Sequence, residues 1–285
     1  MTLCISWIRK VGKKEELCMI ADSCVSGGKR FWAAPKLFTL QRGDCAFACS
    51  GSTDYFYPIA EHIQNSVEIN QPVKDRSYDF LEVIHYFVEI INKSLFEVQD
   101  TFEDAPDFNI LLAGYSWEYK KFCIKEIKYN KFRKKFYANN VKTIKGNRVG
   151  VIGNEDVVMS VRKEIYDELD KNGVLNKGAI DMEPLKILMK YIGDENIDTI
   201  GGHPQMLKIY PFMRVLPWGF IQTDSAGSKI ITYYGRPLLD YETFPYPMYD
   251  LKTGETKYMK ETIEEFKRQN EHTKPLDAFK GIHTV

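Results

Sequence analysis

Three short stretches of this sequence hold side chains suited to chemistry. Asp22 closes the strand-like run Leu17-Cys18-Met19-Ile20-Ala21 and leads into Ser23-Cys24-Val25-Ser26-Gly27-Gly28, so a carboxylate stands where a buried strand meets a loop of small residues. Lys36 opens the next strand, in Ala34-Pro35-Lys36-Leu37-Phe38, and Ser50-Gly51-Ser52-Thr53-Asp54 joins a fourth strand to a helix. A carboxylate, an ammonium and hydroxyls are groups that activate and steady a nucleophile. Neighbouring strands would bring these strand mouths to the N-terminal end of the chain, where Met1-Thr2-Leu3-Cys4-Ile5-Ser6-Trp7-Ile8 starts a strand almost at once. Chain ends usually have too few contacts to be ordered, and this one reads as built into the core.

The elements that must position these groups follow from periodicity. Strands are expected at Leu3 to Ile8, Leu17 to Ala21, Lys36 to Leu40 and Cys45 to Cys49, the last two joined by Arg42-Gly43-Asp44 as a hairpin loop. Two amphipathic helices follow, with stripes Phe56, Ile59, Ala60, Ile63, Val67 and Phe80, Val83, Ile84, Phe87, Val88, Ile91, Leu95. Strands return at Phe108 to Gly114, Phe122 to Ile127, Phe136-Tyr137 and Val149 to Ile152. A second helix pair is capped by Asn154 and Asp181, and final strands lie near Met206 to Tyr210, Trp218 to Gln222 and Lys229 to Tyr234. Strands in fours separated by helix pairs predict a layered α+β architecture. Residues 1–236 read as one domain, and 237–285, aromatic, Pro-rich and then charged from Glu255 to Gln269, as an appendage.

Composition narrows the function classes. Lys+Arg and Asp+Glu both number 39, which leaves no global field for nucleic acid or an anionic membrane, and no run of about 18 apolar residues could span a bilayer. The basic cluster Lys131-Phe132-Arg133-Lys134-Lys135-Phe136 reads as a hairpin edge guarded by lysines more than as a nucleic-acid patch. Six cysteines without a C-x-x-C pair or a signal peptide read as reduced, buried thiols of a cytoplasmic protein, and with five scattered histidines they make no metal set. Alternation places Cys4 beside Thr2 and Ser6 on one strand face, as a small core residue. His62, His85 and His203 read as helix-face and loop residues, and the four tryptophans as core or interface.

Together these pieces resemble the proteasome β-type N-terminal nucleophile hydrolases, including the bacterial proteasome-like threonine peptidase. What matches is Met-Thr opening the first strand, Ala21-Asp22-Ser23 after the second, Lys36-Leu37-Phe38 opening the third, and the small-residue turn before the first helix, over about residues 2 to 235. The resemblance implies a four-layer αββα sandwich, two stacked antiparallel sheets flanked by helix pairs. It makes Thr2 the nucleophile once Met1 is removed, with its α-amine, pKa about 8, as base. Lys36 would sit beside the Thr2 hydroxyl, Asp22 would hold Lys36, and the Ser50 backbone N–H would be the oxyanion donor in place of the usual glycine. Ser26 would bind substrate backbone, and Val25, Ala34, Phe38, Ala48 and Ser52 would line the first specificity pocket.

The third part of the family's site is met less fully. Ile152-Gly153-Asn154-Glu155 stands where a Ser-containing turn is expected, and Ile197-Asp198-Thr199-Ile200-Gly201-Gly202 where Asp-x-x-Ser precedes Gly-Gly. Either Asp198 and Thr199 serve in a shifted register, or the hydrogen-bond network to the terminal amine is incomplete. The expectation is therefore a cytoplasmic threonine-type peptidase or amidohydrolase without cofactor or metal, acting through an acyl-enzyme on peptide amides. It would be a homo-oligomer, ring or dimer, with a separate ATPase unfoldase as a possible partner. The alternatives are a proteasome-like scaffold or interaction subunit that has lost turnover, and a small-molecule amidase.

Overall fold

The computed structural model describes residues 2–26, 29–97, 106–175, 178–224 and 227–258. The chain forms two compact units, Met1–Pro217 with Tyr234–Arg236, and Trp218–Tyr233 with Pro237–Val285. The stretch Trp218–Tyr233 thus groups with the segment beyond Pro237, whereas composition had drawn the boundary between 236 and 237.

In the first unit the strands are β1 (Leu3–Val11), β2 (Lys14–Ala21), β3 (Leu37–Thr39), β4 (Cys45–Gly51), β5 (Phe108–Ser116), β6 (Lys121–Asn130), β7 (Lys135–Asn140), β8 (Thr143–Ile144), β9 (Asn147–Gly153) and β10 (Gln205–Tyr210). Its helices are α1 (Thr53–Ile69), α2 (Gln71–Lys74), α3 (Phe80–Phe96), α4 (Glu155–Lys171) and α5 (Glu183–Ile192). One run of antiparallel strands has the order β10-β2-β1-β9-β8, the other β3-β4-β5-β6-β7. β1 is central, with Cys4 opposite Ala21 on one side and Ile152 on the other. Leu3, Cys4, Ile5, Ser6 and Trp7 are all buried, and the Trp7 indole N–H donates to the Asp181 carbonyl at 2.7 Å. β7 is the outer strand of its sheet and carries the basic hairpin, whose Phe132 is wholly exposed.

β11 (Arg214–Thr223) begins in the first unit and continues in the second, where β12 (Lys229–Tyr233), β14 (Met248–Asp250) and β15 (Thr256–Lys257) also lie, with β13 (Arg236–Pro237) at the boundary. β14 runs parallel to β11, and Phe244 packs on Gly219 with Ile221 and Met248 as a small core. Most of the charged segment expected from Glu255 to Gln269 lies outside the described residues, from 259 onward.

The α+β, four-layer αββα sandwich is not what the structure contains. The described chain is mostly β: fifteen strands fall in sheets of ten and five, against five helices, one of which, α2, is a single turn. The sequence pattern reveals eleven of these strands and misses β8, β13, β14 and β15. Each of these is two or three residues long, too short to show a period of two. They exist because a neighbouring strand offers partners for their backbone groups, which is a tertiary cause.

Two apolar clusters hold the first unit. One joins Cys45, Phe47 and Cys49 of β4 and Ile110 and Leu112 of β5 to the expected stripes of α1 and α3. The other joins the opposite faces, Ala46, Ala48, Leu111 and Ala113, to Cys4, Leu17, Met19 and Ala21. Asp79 and Glu82 form a capping box on α3, and Asn154 caps α4 as its position predicts. Asp181 does not cap α5. Met182 holds that place, while the Asp181 carboxylate accepts from Arg9 Nε at 2.5 Å.

Candidate active site

The site is centred on Asp22, at the end of β2, which has no solvent exposure. Its Oδ1 accepts both the Leu3 N–H, at 2.9 Å, and Lys36 Nζ, at 2.7 Å. Its Oδ2 accepts the N–H groups of Cys24, at 3.0 Å, and Gly201, at 3.1 Å. A buried carboxylate needs this many donors, because desolvation without them would be prohibitive. The Leu3 amide belongs to the peptide that follows Thr2, so one carboxylate oxygen fixes both the root of Thr2 and the Lys36 ammonium. Thr2 is buried and Lys36 is 1% exposed.

Gln205, at the start of β10, welds these segments together. Its Oε1 accepts the Lys36 N–H at 3.0 Å, and its Nε2 donates to the carbonyls of Asp22 at 3.1 Å and Ala34 at 2.8 Å. The sequence reading missed it, since an isolated glutamine opening a strand carries no spacing signal. Ser23 seals the same region, donating to the Trp32 carbonyl at 2.8 Å. A Cβ at Gly202 or Gly235 would come within 2.3 Å of Ser23. Both glycines have positive φ, +75° and +82°, which an L side chain rarely adopts.

β4 supplies the opposite wall. The Cys49 N–H donates to the Lys36 carbonyl at 3.4 Å, toward β3. Alternation turns the next amide, that of Ser50, toward β5, where Ser50 pairs with Asn109. The amide that again faces the β3 side is that of Gly51, beyond Leu37 where β3 begins. The Ser50 amide thus points to β5, and the Gly51 amide is the next one on the β3 side. A Cβ there would meet the Asp107 carbonyl oxygen at 2.1 Å, and φ is +107°, so only glycine fits.

The same alternation sorts the pocket residues. Phe38 stacks on Phe47 at 5.0 Å and meets Phe56 edge-on, on the helix-facing side of its sheet. Ala48 lies on the other face, and Cys49, like Phe47, is on the face of Phe38. Val25, half-buried, exchanges two backbone hydrogen bonds with Phe31, of 2.8 and 2.9 Å, and Ala34 is buried. Ser26 is half-buried on the same loop, and Ser52 donates its N–H to the Asp107 carbonyl at 2.7 Å, on the β5 side.

The third motif assembles only through its backbone. Gly201 donates to Asp22, and Ser23 returns its N–H to the Gly201 carbonyl at 3.0 Å. Asp198 is turned outward, paired with Arg30 at 2.6 Å on the surface, and Thr199 Oγ1 is buried without a partner. Gly153, at the end of β9, lies so close that a Cβ would meet the Thr2 carbonyl oxygen at 2.4 Å, and Asn154 spends its side chain on capping α4. Met1, whose removal the threonine reading requires, lies outside the described residues.

All six thiols are buried. Burial pushes the Cys4 thiol well above its usual range, against the opposing pull of Lys36, and it donates to the Cys49 carbonyl at 3.6 Å. Burial likewise pushes Cys18 up to about 12. No group of three or more His, Cys, Asp or Glu able to hold a metal occurs among the described residues, and no helix there is long and apolar enough to cross a membrane. No protein-family profile matches this sequence, and no curated protein matches it either.

Proposed function

We propose that this protein is a threonine-type peptidase or amidohydrolase whose nucleophile is Thr2, made terminal by loss of Met1. The observation that carries the reading is the shared Asp22 oxygen, which holds the Thr2–Leu3 amide and the Lys36 ammonium together in a solvent-free place. The resemblance in the Met-Thr, Ala-Asp-Ser and Lys-Leu-Phe segments points the same way. In this reading the Thr2 Oγ bonds to the substrate carbonyl carbon as its proton passes to the neutral α-amine. Lys36 stabilises the developing negative charge, Asp22 keeps Lys36 charged and oriented, and the Gly51 N–H receives the oxyanion. The amine then protonates the leaving nitrogen, and an ester on Thr2 remains. Ser26 and Gly51 would hold an extended peptide backbone, and Val25, Ala34, Phe38 and Cys49 would favour an apolar side chain.

Intact mass and a fluorogenic peptide assay test this together. The expected result is a mature chain lacking Met1, with turnover that Thr2→Ala abolishes. Met1 retained in every molecule would refute it, as would equal turnover by the Thr2→Ala variant. A second reading, a scaffold or interaction subunit without turnover, is favoured by the outward pairing of Asp198 with Arg30, which leaves the terminal amine without that carboxylate. Loss of Met1 without any Thr2-dependent turnover would select it. A homo-oligomer that restricts access to the site, with a separate ATPase unfoldase, is part of the first reading, and light scattering reports the assembly.

A further inference from the structure

We propose that the Ser50 hydroxyl positions the water that hydrolyses the acyl-enzyme, an inference that rests on Thr2 being the nucleophile. Among the described residues of the first unit, the buried side-chain polar atoms without a hydrogen-bond partner are Ser50 Oγ and Thr199 Oγ1. Both lie within two residues of a backbone group bonded to Asp22 or Lys36. Thr199 is two residues from the Gly201 amide on Asp22, and Ser50 follows Cys49, whose amide binds the Lys36 carbonyl. An unpaired buried hydroxyl destabilises a fold, and among the other described residues of this unit such groups are satisfied. Unspent hydrogen-bonding capacity suits a polar guest.

The direction of Ser50 says which guest. Cys49 belongs to the helix-side cluster, so alternation turns the 2% exposed Ser50 to the face of Ala46 and Ala48, which pack with Cys4. The Cys4 thiol reaches the Cys49 carbonyl, the oxygen of the peptide that leads into Ser50. Thr2 shares the Cys4 face of β1. The orphan hydroxyl thus faces the strand that carries Thr2, one residue before the Gly51 amide that would hold the oxyanion. An ordered water bound there stands beside an ester on Thr2. Its oxygen bonds to the acyl carbon and its proton passes to the α-amine. The carbon–Oγ bond breaks, Oγ takes that proton, and a carboxylic acid leaves with Thr2 restored.

The test is Ser50→Ala with a peptide ester as substrate, for which breakdown of the acyl-enzyme limits the rate. The expected result is a kcat reduced about tenfold, the weight of one neutral hydrogen bond, with KM reduced in parallel and kcat/KM unchanged. Intact mass should show the acyl group accumulating on the variant, and thermal melting should show it no less stable than wild type. Parameters equal to wild type, or a fall in kcat/KM that places the defect before the ester, would overturn the inference alone. Turnover that survives in Thr2→Ala, or that wild type lacks, would overturn the nucleophile assignment beneath it.

Discussion

Replacing Lys36 by Met removes one half of a buried ion pair while nearly keeping its volume. The pair is 1% and 0% exposed at 2.7 Å, and stranding a buried charge in this way costs about 3–5 kcal/mol. Asp22 would keep three backbone donors, from Leu3, Cys24 and Gly201, so the lower end, about 3 kcal/mol, is the expected loss. With a urea dependence of about 3 kcal/mol per molar for a chain of this size, the unfolding midpoint should fall by about 1 M. On the proposed mechanism the same variant should also lose Thr2-dependent peptide turnover. Equilibrium urea unfolding followed by tryptophan fluorescence reads the first effect and a fluorogenic peptide the second. A midpoint lowered by less than about 0.3 M would show that the Asp22 site is not dry, which would refute the burial argument. A stable loss of midpoint with full turnover would separate the ion pair from catalysis.

Gln205→Leu removes three buried hydrogen bonds from the Asp22, Ala34 and Lys36 backbones and should cost at least about 2 kcal/mol in urea unfolding; an unchanged midpoint would deny it the welding role. Gly51→Ala should abolish turnover, because the 2.1 Å approach to Asp107 forces the amide to move, whereas Ser50→Gly should leave the oxyanion position intact. In the folded protein none of the six buried cysteines should react with a thiol reagent at pH 8 within minutes, and all six should react in denaturant; rapid native labelling of one would contradict their burial and the raised thiols of Cys4, Cys18 and Cys24.

The sequence by itself determined what has a local cause. The α1 and α3 stripes, the Asn154 cap, the central apolar strand at Leu3 and the placing of Asp22 and Lys36 at strand mouths all follow from periods and capping chemistry that a chain carries along its length. Tertiary structure decided register and partners. Pairing at β4 turns the Ser50 amide toward β5 and puts Ala48 and Cys49 on opposite faces, because successive strand residues face opposite ways and pairing alone fixes which is which. Asp198 lies at the surface, where it pairs with Arg30, and Gln205 gained its role because β10 pairs with β2, which brings it to Asp22 across a sequence separation of 183. Four short strands arose because neighbouring edges had backbone groups to satisfy, a demand no short stretch of sequence displays.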